Sequence, residues 1–91
     1  MPVDVRLPTV LRSQAGGQST VAVDASTIGE VLQRLVTEYP GMAGQLVNDD
    51  GSLHRFVNVY VNDDDVRYLS LLDTPVKDGD EISILPAVAG G

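Results

Sequence analysis

The chain closes on Gly90-Gly91, preceded by Leu85-Pro86-Ala87-Val88-Ala89. Residues of these types can do chemistry in one way, as a substrate, because the reactive group they offer is the carboxylate of Gly91. A terminal glycine has no Cβ, so its carboxylate can enter a narrow active site without steric clash. Pro86 has no N–H to donate and disfavours extending a sheet into the tail. Fully extended, the segment from Pro86 to Gly91 reaches roughly 17 Å, enough to leave a domain surface and enter a partner's cleft. A run of small residues is also what a frayed terminus carries, so the body of the chain has to decide between the two.

The other polar constellations carry less. There is no cysteine and one histidine, His54, which removes disulfides, thiol nucleophiles, Cys-based metal sites and His clusters. No Ser or Cys nucleophile and no orienting carboxylate is paired to His54 by motif, so it reads as a surface or satisfied histidine. Asp63-Asp64-Asp65 invites a calcium reading, but the alternate ligands, the sixth-position Gly and the closing Glu of a calcium loop do not follow. Asn48-Asp49-Asp50-Gly51 fails the same test and reads as a turn. Gly16-Gly17 lacks the strand–glycine loop–helix context of a nucleotide site, so no cofactor is expected on the chain itself and any ATP would be bound by a partner. Thirteen acidic side chains against six basic ones give a net charge of −7. That repels nucleic acid and anionic membranes; it suits a basic partner surface and plain solubility equally. With no apolar run of membrane-spanning length and no signal-peptide pattern at Met1-Pro2-Val3-Asp4, the expected location is cytoplasmic.

The elements that would position the tail follow from the periodicities. Ninety-one residues make one domain with a small core. Val3, Val5 and Leu7 alternate with Asp4 and Arg6 as a half-buried strand, Pro8 ends it, and Thr20–Val23 returns as its hairpin partner after the turn cluster Ser13–Gln18. Thr27 and Glu30 have capping-box spacing. The helix they open carries Ile28, Val31, Leu32, Leu35, Val36 and Tyr39 on one apolar stripe, and Pro40-Gly41 stops it. Met42 to Val47 reads as a short helical turn. Phe56–Val61 is a strand rich in β-branched and aromatic residues, Asn62–Asp65 a turn, Val66-Arg67-Tyr68 a short return strand, and Glu81–Leu85 the last strand.

A hairpin, a helix and more strands predict an α+β roll, a mixed sheet packed on one main helix. The domain is expected over 1–86, with 87–91 a flexible tail. Strand alternation turns Val57, Val59, Val61, Ile82 and Ile84 toward the helix and Phe56, Asn58, Tyr60, Ser83 and Leu85 away from it. Phe56, Tyr60 and Leu85 then form an apolar patch near the tail, a partner-docking surface, with Arg6 and Arg67 at its rim or simply solvated.

This outline resembles the ubiquitin-like β-grasp fold. The closing run Asp78-Gly79-Asp80-Glu81-Ile82-Ser83-Ile84-Leu85-Pro86-Ala87-Val88-Ala89-Gly90-Gly91 is similar to the end of MoaD/ThiS-type sulfur carriers. Leu53 to Arg67, with Leu7–Arg12 and Gly16-Gly17-Gln18, resembles their CysO subgroup from actinobacteria. The resemblance covers nearly the whole chain, the helix only generically. It implies a protein co-substrate, not an enzyme. An E1-like adenylating enzyme would use ATP to convert the Gly91 carboxylate to an acyl-adenylate, and a sulfur source would displace AMP to leave a thiocarboxylate. Gly91 would carry the sulfur, Gly90 would give thinness and freedom in φ, and Ala87, Val88 and Ala89 would form the threading segment. The acceptor implied is a biosynthetic enzyme, either a PLP-dependent cysteine synthase acting on O-phosphoserine or a thio-cofactor or thio-natural-product synthase. In the CysO subgroup a metallopeptidase then cuts the cysteine adduct and restores the Gly-Gly end. A different class of reading stays open: a β-grasp modifier conjugated to lysines, or a noncovalent interaction module. Either way the free chain is expected to be a monomer.

Overall fold

A computed structural model describes residues 2–54 and 57–86. Strand β1 (Pro2–Arg6) leads to a short helix α1 (Thr9–Arg12) and a 3-10 turn over Ser13–Ala15, then β2 (Thr20–Asp24) and the long helix α2 (Ile28–Glu38). A 3-10 turn at Pro40–Met42 precedes β3 (Val57–Val61), β4 (Asp64–Asp65), two further 3-10 turns at Val66–Tyr68 and Leu71–Asp73, and β5 (Glu81–Pro86). The five strands form one mixed sheet in the order β2-β1-β5-β3-β4. β5 lies at its centre, parallel to β1 and antiparallel to β3. This is the roll expected from the sequence.

The sheet's inner side is apolar because the alternation makes it so. Val3, Val5, Val21, Val23, Val57, Val59, Val61, Ile82 and Ile84 are all buried, and so are Ile28, Val31, Leu32 and Leu35 on the facing stripe of α2. Val36 and Tyr39 complete that stripe half-buried. Met42 and Leu46, which the periodicity left outside the core, are fully enclosed. They sit four residues apart in the turns after α2, where no long stripe advertises them.

The N-terminus of α2 is capped as expected, with one shift. The Glu30 N–H donates to Thr27 Oγ1 at 3.2 Å. The Glu30 carboxylate, however, accepts from the Ser26 N–H at 2.8 Å and the Ser26 hydroxyl at 2.6 Å, one residue before the cap. The first turn is also strapped from outside, since the Ile28 N–H donates to the Thr74 carbonyl at 2.9 Å. The close approach leaves little room at Gly29, where a Cβ would stand 3.2 Å from the Leu72 carbonyl oxygen.

Two local expectations are corrected. Ser13–Gln18 is not turn alone, because Thr9–Ala15 coils helically before Gly16 reverses the chain. The return strand is Asp64–Asp65 and not Val66–Tyr68, which is a 3-10 turn. The reversal closes early because Asn62 adopts φ +57°, a left-handed conformation that Asn tolerates better than most residues. The Asp65 carboxylate then accepts the Arg67 N–H at 2.9 Å and starts the 3-10 turn.

Candidate functional site

The site lies at the end of β5, where the described chain stops at Pro86. Two devices fix the start of β5. Gly79 at φ +89° turns the chain, a conformation glycine takes without a Cβ penalty. Asp80, nearly buried, accepts the Lys77 N–H at 2.9 Å and an Asn62 side-chain N–H at 3.4 Å. Asn62 in turn exchanges bonds with Glu81: its N–H donates to the Glu81 carbonyl at 2.7 Å, and its side-chain oxygen accepts the Glu81 N–H at 3.2 Å. The Asp78-Gly79-Asp80-Glu81 run and the Asn62 turn therefore act together to set the register of the last strand.

That register holds to the end of the described chain. Leu85 pairs with Asn58 and Pro86 with Val57 on one side, and Ser83 pairs with Arg6 on the other. β5 is thus flanked by β1 as far as Ser83 and by β3 alone from there to Pro86. Pro8, Val10, Leu11, Gln45, His54 and Val57 border the exit around an apolar crevice of about 230 Å³, closed by Ile84, Leu85 and Pro86. A second hollow shares Pro8, Val10, Leu85 and Pro86 and adds Arg6 and Arg12. Val10, two-thirds exposed, and Leu85, half exposed, offer large apolar side chains to solvent here.

Alternation placed Tyr60 and Leu85 on the outer side of the sheet, and the structure agrees. Leu85 is open, whereas Tyr60 is half-buried and contributes less surface than the patch required. Phe56, the third member of that patch, lies outside the described residues, as do the threading residues Ala87, Val88 and Ala89 and the pair Gly90-Gly91. Sequence reasoning missed Val10: its helix is four residues long and shows no periodicity to read. A Pro directly before Thr9 was the available signal.

The arginines near the exit differ in state. Arg12 Nε–H donates to the Leu7 carbonyl at 3.1 Å and ties α1 to the end of β1. Arg6 faces Glu81 at 3.6 Å, with both side chains largely exposed, a pair worth at most about 1 kcal/mol in water. Arg67 is not simply solvated. Its guanidinium donates to the Val57 carbonyl at 2.9 Å, to Asn58 Oδ1 at 2.8 Å and to the His54 carbonyl at 3.4 Å. β4 pairs with β3 only at Tyr60 and Val61, so Arg67 occupies the edge that β4 leaves uncovered, opposite the residues that pair with Leu85 and Pro86. Among the described residues, Arg6, Arg12 and Arg67 thus lie beside the end of β5 in a chain of net charge −7. Among the described residues no group of His, Asp and Glu is placed to hold a metal ion, and no helix is long and apolar enough to cross a membrane.

Comparison with known proteins fits this geometry. The chain is 48% identical to the sulfur carrier protein CysO of Mycobacterium tuberculosis over the full length of both. It is 38% identical to the small archaeal modifier protein 3 of Haloferax volcanii, again over the full length of both. Among solved structures, the Amycolatopsis orientalis BexX/CysO complex contains a chain that superposes with a TM-score of 0.88 at 46% identity, covering 98% of this chain and 99% of that one. A family model matches residues 5–91, and the chain belongs to the ThiS family of ubiquitin-like β-grasp proteins.

Proposed function

We propose that this protein is a sulfur carrier whose Gly91 carboxylate is adenylated and then converted to a thiocarboxylate. The observation that carries the reading is the launch point. A central strand held in register to Pro86 is followed by five residues with small side chains, ending in a carboxylate.

In the first step a carboxylate oxygen of Gly91 attacks the α-phosphorus of ATP in an E1-like partner and pyrophosphate leaves. In the second, a sulfur nucleophile adds to the acyl carbon and AMP leaves, so one oxygen has been replaced by sulfur. The thiocarboxylate sulfur is then the nucleophile toward an acceptor enzyme. That acceptor is a PLP-dependent cysteine synthase or a thio-product synthase, with a metallopeptidase releasing the product in the cysteine case. The chain supplies no catalytic group and no cofactor of its own, and ATP belongs to the adenylating partner. Ala87, Val88 and Ala89 thread that partner's channel, and Gly90 keeps the approach thin. Leu85, Val10 and the outer edge of Tyr60 give the docking contact, joined by Phe56.

Intact mass of the chain after incubation with its host's adenylating enzyme, ATP and sulfide tests this. The expected gain is one sulfur-for-oxygen exchange, absent without ATP. No gain, with the enzyme shown active on another carrier, overturns the assignment. A second reading is favoured by the likeness to a protein named as a modifier: a lysine amine in place of sulfide would yield an isopeptide. Its signature is a Gly91-linked lysine in tryptic digests.

A further inference from the structure

The two margins of the sheet are finished differently. On the β4 side the last strand is two residues long and both are aspartates, and Arg67 covers the remaining edge of β3. Short, charged and capped margins resist strand addition. On the other side β2 runs five residues, Thr-Val-Ala-Val-Asp, and pairs only with β1. It carries no lysine and no proline, the usual protections of an exposed edge.

The hydrogen-bond phase shows which amides this edge presents. The Leu7 N–H donates to the Ser19 carbonyl at 2.8 Å. With Val5 opposite Val21 and Val3 opposite Val23, two-residue alternation directs the amides of Val21 and Val23 toward β1 and those of Thr20 and Ala22 outward. Beside this margin runs a groove of about 500 Å³ between β2 and α2. Val21, Val23 and Leu35 line it, and its banks carry Glu30 and Glu38 with, among the described residues, the cation Arg34.

We propose that the β2 margin and this groove receive an extended basic segment of another protein as a sixth strand. Its backbone would pair with the outward amides of Thr20 and Ala22, small β-branched side chains would enter the groove, and flanking Lys or Arg would meet the acidic banks. A second copy of this chain is disfavoured because each copy carries −7. The surface is separate from the tail exit, and the inference does not depend on the chemistry proposed for Gly91.

The test is an NMR titration of the isotope-labelled full chain with the synthetic peptide acetyl-Lys-Val-Thr-Val-Thr-Val-Arg-amide. Shifts are expected at residues 20–24 and 30–39, with slowed hydrogen exchange at the Thr20 and Ala22 amides. Ala22→Pro removes one outward donor without touching the β1 ladder and should weaken binding about tenfold. Glu38→Lys, on the exposed side of α2, should weaken it about threefold and keeps the test valid if the proline variant does not fold. No saturation by about 2 mM peptide, shifts centred elsewhere, or equal binding of a scrambled peptide of the same charge would overturn the proposal. So would sedimentation as a dimer that Ala22→Pro disperses, which would give the edge to a second copy.

Discussion

Ile84 and Leu85 are neighbours in one strand and have opposite surroundings. Ile84 is 1% exposed and packs under α2; Leu85 is 47% exposed on the outer side, one residue before the end of β5. The same division runs through β3, where Val57, Val59 and Val61 are buried and Asn58 and Tyr60 face outward, half-covered. The pleat gives one side to holding the fold and leaves the other exposed, the side on which the proposed function places its docking contact. A carrier built this way can lose either property alone, and the predictions follow from that separation.

The largest effect belongs to the tail. Deleting Gly91 should abolish the sulfur-for-oxygen mass gain while leaving the thermal midpoint of the domain unchanged. A lowered midpoint would mean that the terminus serves the fold, and would break the division. Next comes the inner side. Ile84→Ala empties a fully enclosed site and should cost about 3 kcal/mol, a fall in Tm on the order of 15 °C for a domain of this size. Loading per folded molecule should be retained, as measured by mass below the transition. The outer neighbour should behave in reverse. Leu85→Asp should leave Tm within about 2 °C, as exposed substitutions do. It should raise the KM of the adenylating enzyme for the carrier about tenfold, with kcat little changed, the signature of lost docking.

Much of this was legible before any coordinates. Period two gave β1, β2, β3 and β5, and period 3.6 gave α2, because each element is long enough to repeat its pattern and each buries one side. What escaped was short or set by distant partners. Val10 stands on a four-residue helix without a repeat. Met42 and Leu46 are enclosed by tertiary packing alone. The position of β4 depends on the left-handed turn at Asn62, stabilised by Glu81 nineteen residues away, which no local window contains. Arg67 could be placed near the outer side from sequence, but its bonds to Val57 and Asn58 require knowing that β4 stops at Asp65. The closing motif was readable as a motif; that Asp80 uses it to fix the register of β5 was not.

A smaller effect tests whether α2 serves only the inner side. Thr27→Ala removes the side-chain acceptor for the Glu30 N–H and should cost about 1 kcal/mol. Neither the KM nor the extent of sulfur loading should change at temperatures where the variant stays folded. A shift in KM would show that the helix cap reaches the docking side and that the two sides of the sheet are coupled.

The weakest effect is titratable. Hydrogen bonds from the Ser26 hydroxyl and N–H hold the Glu30 carboxyl below its ordinary value of 4.5. A carboxylate lowered in the folded state contributes stability that is present above its unfolded value and fades as pH falls through the folded one. Glu30 is fully exposed, so the contribution is small and screened by salt. Asp50, lowered by its bonds from Ser52, adds acid sensitivity of the same sign, so the measurement has to be a difference. The Tm of the unaltered chain minus that of Glu30→Gln should be positive at pH 7 and close toward zero as the carboxylate protonates below about pH 4. A difference that grows on acidification would reverse the sign and remove the ionised cap from the account of α2. Leu85→Asp introduces its new carboxylate on the outer side, so the same Glu30→Gln difference measured in that background should be unchanged. If it changes, the separation between Ile84 and Leu85 does not extend to the helix end.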